Sequence, residues 1–370
     1  MKVVVLGGTG NFGARICRAL AGDPGIELVV AARDGERAQA FAAPLSAQAV
    51  SLDTTDAGFP ARLGDLRPGL VVHTAGPFQE QGYAVAWAAA QAGSHYIDLA
   101  DGRRFVCDFG SALDQAFRAA GRCGISGAST VPALSSAVVD ACRPRFAQLD
   151  AIDFCIAPGQ RAPRGPATIA GVLSYCGAPV QVWKEGRWQE QLGWADPQPV
   201  RFARMKARRG ALCDIPDLEL FPARYPGVRD VMFRAALEVA PAQAGFAVLA
   251  ALRRAGFPVA SAPVARFLHV AGKVLDPLGT PDGGMVVRLR GTDENGASLR
   301  LAWNIFAPDH HGPEIPCMAA ILLARRLASG EALAPGATAC MGLLELEAFA
   351  PEFARWGMRT ELVEEDADGA

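Results

Sequence analysis

The chain has 370 residues, longer than one hydrophobic core usually grows, so two domains are expected. A composition of 51% hydrophobic and 20% charged residues suits a globular protein and excludes a largely disordered one. With 36 Lys and Arg against 38 Asp and Glu, the net charge of -2 gives no global attraction for nucleic acid or an anionic membrane, which leaves a small molecule as the expected partner.

From Lys2 to Ala141 short apolar runs alternate with helix-period stretches, the pattern of a parallel sheet covered by helices on both faces. Strands are predicted at Lys2–Leu6, Glu27–Ala32, Gln48–Leu52, Leu70–Thr74, His95–Leu99 and Gly124–Ser126. Helices are predicted at Gly13–Ala21, Gly35–Ala42, Gln81–Ala92 and Arg103–Ala120, the last with Phe105, Phe109, Leu113 and Phe117 as a packing stripe. Residues 1–141 are therefore expected to form a doubly wound α/β domain.

After Asp150 a strand at Ala151–Ala157 is followed by hairpin signals. One hairpin joins Val180–Lys184 to Arg187–Gln191 through Glu185-Gly186, and another joins Met285–Gly291 to Ala297–Phe306 across Asp293–Gly296. Helices are expected at Pro241–Ala255 and Pro263–Leu275. Residues 142–310 thus read as an α+β domain with a mostly antiparallel sheet. Residues 311–370 begin with a helix at Pro313–Ser329 and end in a frayed tail at Glu364–Ala370.

The strongest chemical signal follows the first strand, where Gly7, Gly8, Thr9, Gly10, Asn11, Phe12 and Gly13 carry a Gly-x-Gly-x-x-Gly turn that opens a helix. In that context the glycines let backbone approach a pyrophosphate while the helix N-terminus supplies amides, the arrangement of a Rossmann dinucleotide site. About 20 residues on, where NAD-specific sites place an acid, stands Arg33, which suits a 2′-phosphate and favours NADP, with the adjacent Asp34 keeping NAD possible. Thr74, Ala75, Gly76, Pro77 and Phe78 follow strand four and are expected along the ribose and nicotinamide side, with Asp53 toward the adenine.

Asp98 and Asp101, at the end of strand five, are the acid-base candidates, and Asp101 reads more readily as the cap of the helix at Arg103. The run Arg201–Arg209 reads as a solvated face, with Arg161 and Arg164 as rival anion anchors. His310 and His311 are expected to shape a turn, and no metal is expected. None of the four tyrosines has a lysine four residues on, which excludes the Tyr-x-x-x-Lys chemistry of short-chain dehydrogenases. Nine cysteines without metal-type spacing, and a first strand at Lys2 with no signal peptide before it, lead to the expectation of a cytoplasmic protein with reduced, buried thiols and no membrane or nucleic-acid partner.

Gly7–Gly13, Ala31-Ala32-Arg33, Thr74–Phe78, Tyr96–Leu99 and Gly124–Gly127 together resemble the saccharopine dehydrogenase-like family of NADP-binding reductases. The resemblance covers about the first 140 residues. It implies an NADP-dependent oxidoreductase that moves a hydride between the nicotinamide and a C=N bond of an imine or amino acid, with residues 142–310 as a substrate and dimerisation domain of a homodimer and residues 311–370 returning to the first domain, while the Gly7–Gly10 opening is also similar to enoyl reductase-like relatives that act on a C=C bond. Two other readings stand beside it: a non-catalytic NADP-binding redox sensor, and a synthase in which the hydride leaves and returns within one cycle.

Overall fold

The computed structural model describes residues 1–79, 81–163, 165–259 and 262–365. The first stretch of chain alternates strand and helix as its periodicity predicts. Strands β1 (Lys2–Leu6), β2 (Glu27–Ala32), β3 (Gln48–Ser51), β4 (Leu70–His73), β5 (His95–Asp98) and β6 (Cys123–Ser126) are separated by α1 (Gly13–Leu20), α2 (Gly35–Ala42), α3 (Phe59–Asp65), α4 (Ala84–Gln91), α5 (Arg103–Cys107) and α6 (Phe109–Ala119). The single helix expected over Arg103–Ala120 is two, broken at Asp108, yet Phe105, Phe109, Leu113 and Phe117 are all buried as one stripe.

From Ser135 the elements are α7 (Ser135–Cys142), β7 (Gln148–Ala157), α8 (Pro166–Tyr175), β8 (Pro179–Lys184), β9 (Arg187–Leu192), β10 (Gln198–Val200), β11 (Arg208–Leu212), α9 (Asp217–Arg224), β12 (Asp230–Ala236), α10 (Ala240–Arg254), α11 (Ala262–Val274), β13 (Gly283–Thr292) and β14 (Ser298–Ala307). The chain ends with α12 (Ile315–Ala328), β15 (Gly336–Ala339), α13 (Ala350–Arg355) and β16 (Arg359–Glu364). Two compact units result: Met1–Leu134 with Glu314–Leu344, and Ser135–Pro313 with the chain from Glu345.

In the first unit seven parallel strands run in the order β15-β6-β5-β4-β1-β2-β3, the doubly wound order with its reversal between β1 and β4. Strands such as Val3-Val4-Val5 are wholly apolar because both faces of the sheet are covered. The reversal opens a crevice at the carboxyl ends of β1 and β4, where ligands of such sheets bind. Cross-strand registers set Leu6 beside His73, His73 beside Asp98, and Leu6 beside Ala31, so the loops that follow these residues start side by side.

The second unit is built on a nine-stranded, mostly antiparallel sheet with the path β10-β11-β12-β7-β13-β14-β16, to which the β8-β9 hairpin is added beside β12. One pair, β12 and β7, is parallel. Both predicted hairpins form. Glu185 and Gly186 take φ of 55° and 74° in the first turn, and the Asp293 carboxylate accepts from the amides of Asn295 and Ala297 in the second. Glu364, expected to open a frayed tail, instead closes β16, which pairs with β14, and Glu365 holds Arg288 at 3.1 Å; residues 366–370 lie outside the described residues. Among the described residues no helix is long and apolar enough to cross a membrane.

Candidate functional site

The glycine turn leaves β1 at Gly7, whose φ of 75° is a conformation that side chains resist. The Gly7 carbonyl accepts from the Gly10 amide at 2.8 Å, and the Gly8 amide donates to Ala31 O on β2 at 3.0 Å, which ties the turn to the sheet. A Cβ at Gly13 would collide with that same Gly7 carbonyl and lie 2.7 Å from Thr74 Oγ1, so α1 approaches the turn as closely as backbone permits. Thr74 Oγ1 donates to Leu6 O at 2.8 Å and locks the β4 loop against the β1 loop. A backbone cradle of this kind, at the start of a helix and at the strand-order reversal, fits a dinucleotide pyrophosphate.

Two arginines reach the cradle and a third stands at the end of β2. Arg15 on α1 reaches back to Asn11 O and Asn11 Oδ1, the latter at 2.7 Å, and pairs with Glu314 at 2.9 Å in a half-buried setting. Arg33 is exposed at the end of β2, while its backbone carbonyl accepts from Ser51 Oγ at 3.0 Å. Arg37, one turn into α2, donates to Thr9 O at 3.1 Å and so brings a second guanidinium to the tip of the glycine turn. Sequence reasoning missed Arg37, although its spacing of four from Arg33 at the start of a helix was the available signal. Asp34, which the sequence left open for NAD, caps α2: its carboxylate accepts from the Arg37 amide at 3.0 Å.

The remaining predicted residues divide by environment. Asp53 closes an Asx turn, accepting from Thr55 N at 2.9 Å and Thr55 Oγ1 at 2.8 Å, bonds that lower its pKa. Gly76 and Pro77 are exposed and joined by a cis bond, and the Gln81 amide donates to the carbonyls of Ala75 and Pro77, both at 2.7 Å. Phe78 is buried, its ring edge-on to His73 and Phe105. It anchors the loop from below.

Asp98 and Asp101 are not equivalent. Asp98 is fully buried, and its Oδ1 accepts from Ala100 N at 2.9 Å, Ser126 Oγ at 3.0 Å and Gly127 N at 2.8 Å. It thereby stitches the ends of β5 and β6 together, and burial pushes its pKa up to about 6. Asp101 is exposed and accepts from Gln79 Nε2 at 3.0 Å. The capping role expected for Asp101 does not occur: Gly102 is the N-cap of α5 and no side chain caps it. Beneath the edge lies a buried contact that no sequence pattern announced, His73 Nδ1 to Tyr96 OH at 2.9 Å, where burial lowers the His73 pKa to about 4 and keeps the ring neutral.

In the second unit the run Arg201–Arg209 is exposed at most positions, as expected, but Phe202 and Met205 pack inward and Arg208 is buried, donating to Pro158 O at 2.7 Å. His310 does shape a turn, with φ of 65° and its Nδ1 3.0 Å from Arg161 O. Arg164 lies outside the described residues.

Residues 3–125 match the family model of the saccharopine dehydrogenase NADP binding domain. The nucleotide-binding domain belongs to that family. The matched domain is one that binds NADP. The whole chain has the fold of saccharopine dehydrogenase (L-Glu forming) from Saccharomyces cerevisiae, with 14% identity, a TM-score of 0.69, and coverage of 99% of this chain and 100% of the other. Homospermidine synthase from Legionella pneumophila, solved in complex with NAD, shares the fold at 10% identity and a TM-score of 0.64, covering 99% and 91%. No curated protein sequence matches the chain. Residues 3–125 thus match an NADP-binding domain of the saccharopine dehydrogenase type, and the chain as a whole shares the fold of these two enzymes.

Proposed function

We propose that the protein transfers a hydride between NADP and a small molecule carrying a C=N bond, an imine or the corresponding amino acid, or a C=C bond. The observation that carries the reading is the charge arrangement at the end of β2: Arg33 is exposed there, Arg37 reaches Thr9 O, and the neighbouring carboxylate of Asp34 is engaged as a helix cap. Two guanidiniums, with the adjacent acid engaged as a helix cap, suit a 2′-phosphate better than a free ribose hydroxyl pair.

In this reading Gly7 to Gly13 hold the pyrophosphate with the amides of the turn and α1, and Asp53 and the Thr74–Pro77 loop border the adenosine and nicotinamide sides. The bound nicotinamide supplies or accepts the hydride. Asp98 is a positioning residue, since its carboxyl is sealed from solvent and holds the loops after β5 and β6 in place. Asp101, exposed and oriented by Gln79, is the carboxyl of this edge that can exchange a proton with solvent. The second unit binds the substrate; a homodimer and a cytoplasmic location complete the proposal.

The test is the double variant Arg33→Asp, Arg37→Asp, assayed by nicotinamide fluorescence. Because hydrogen bonds to charged groups contribute about 1.5–3 kcal/mol each, NADPH affinity should fall at least about tenfold while NADH affinity holds. An equal effect on both nucleotides would remove the 2′-phosphate assignment. Cofactor binding without turnover on any imine or enoyl compound would favour the redox-sensor reading instead.

A further inference from the structure

Seven of the eleven large apolar side chains that stand exposed among the described residues fall between Val248 and Leu278. They are not scattered. Phe246 and Leu249 of α10 and Val264 and Leu268 of α11 turn inward onto a shared cluster with Ile169, Leu173 and Ala265, so both helices are already anchored by their inner sides. The outer sides are apolar as well. Phe267, Val270 and Val274 follow the three-and-four spacing of one helix stripe and are 69%, 65% and 77% exposed. On α10, Val248 and Leu252 are exposed, and the only polar residue between Ala240 and Leu252, Gln243, is buried.

Charge gives this face a sign. Residues 239–275 contain Arg253, Arg254, Arg266 and Lys273 and no Asp or Glu, in a chain whose net charge is -2. Arg253 points inward, donating to the carbonyls of Leu173, Ser174 and Cys176. Arg254, Arg266 and Lys273 are exposed. On α11 the helical angle sets Arg266 and Lys273 together along one margin of the apolar stripe.

We propose that the outer face of α10 and α11 docks on an anionic lipid surface, with the apolar stripe in the headgroup boundary and Arg254, Arg266 and Lys273 against the lipid phosphates. Apolar side chains flanked by cations are the signature of helices that lie in a membrane interface, and such contact requires neither a spanning helix nor a net positive chain. A second copy of this chain fits the face less well. A two-fold contact sets a patch against itself, and here it would bring three cations toward their own copies, with Asp276, which accepts from Gln160, the single acid between Val248 and Leu278. A protein partner would also be expected to meet polar or aromatic anchors at the centre of the face, and the stripe offers aliphatic side chains and one phenylalanine.

The experiment is flotation of the full-length protein with vesicles of phosphatidylcholine containing about one-third phosphatidylglycerol, beside vesicles of phosphatidylcholine alone. The protein should float with the anionic vesicles, less so as salt is raised and much less with phosphatidylcholine. Each cation near such a surface contributes about fivefold, so Arg266→Gln with Lys273→Gln should weaken binding about thirtyfold. Val270→Asp with Val274→Asp, at exposed positions that leave the fold and NADPH binding intact, should abolish it. Failure to float with anionic vesicles overturns the proposal, as does equal flotation on both kinds. A wild-type dimer that Val270→Asp turns into a monomer, without flotation, assigns the face to a second copy.

Discussion

Replacing Asp98 by Asn tests whether this carboxyl is a sealed scaffold or a working acid. In the unfolded chain the group ionises near its ordinary value of 3.8, and in the folded protein burial raises that to about 6 despite three hydrogen bonds to Oδ1. Between those values the folded state keeps a proton that the unfolded state has released. Stability therefore falls as pH rises across this window, by about 1.4 kcal/mol per pH unit and about 3 kcal/mol in total, and the loss is complete by about pH 7. Asparagine has the same shape and can accept at Oδ1, but does not titrate. The stability of Asp98→Asn relative to wild type should thus shift by about 3 kcal/mol in favour of the variant between about pH 3 and about pH 7. Urea unfolding at the two pH values, read as the change in midpoint at constant slope, measures this difference, and every other titrating group cancels between the two proteins. A relative stability that does not change with pH, or that moves toward wild type, would show that the native carboxylate is not desolvated and would refute the scaffold assignment.

Gly13→Ala should abolish NADPH binding and cost about 1–3 kcal/mol of stability, because the new methyl group meets the Gly7 carbonyl and Thr74 Oγ1; calorimetric titration and thermal unfolding check the two parts. Arg15→Ala removes the brace on Asn11 and the ion pair with Glu314, so NADPH affinity should weaken with a stability loss of about 1–3 kcal/mol. Eight of the nine cysteines are buried and Cys107 is partly accessible, so mass spectrometry after native alkylation should find Cys107 modified first and the other eight only on unfolding.

The nucleotide domain was legible because its signals are local. A wholly apolar strand, a glycine turn and a helix lie within about twenty residues, and each element constrains the next. What escaped the sequence depends on contacts between distant segments. β15, Gly336–Ala339, is four small residues with no strand-like periodicity and becomes a strand by pairing with β6 more than 200 residues earlier. β16 carries Arg359, Glu361 and Glu364, reads as a charged tail, and forms because β14 offers it an edge. β11 hid at the end of a basic run whose Arg208 is buried. α3 was obscured by Pro60, which occupies the first turn where proline is tolerated. At the site, the glycines and Arg33 were readable from spacing, whereas the difference between sealed Asp98 and exposed Asp101 depends on how β5 and β6 end, and the His73–Tyr96 contact on the register of β4 with β5.

The measurement that bears most directly on the central claim is a titration of the purified protein with NADPH and with NADH, followed by nicotinamide fluorescence. Arg33 and Arg37 beside the glycine turn predict tight binding of NADPH and weak binding of NADH, with the preference lost in Arg33→Asp, Arg37→Asp. Binding of neither nucleotide, or a preference for NADH, would contradict the account.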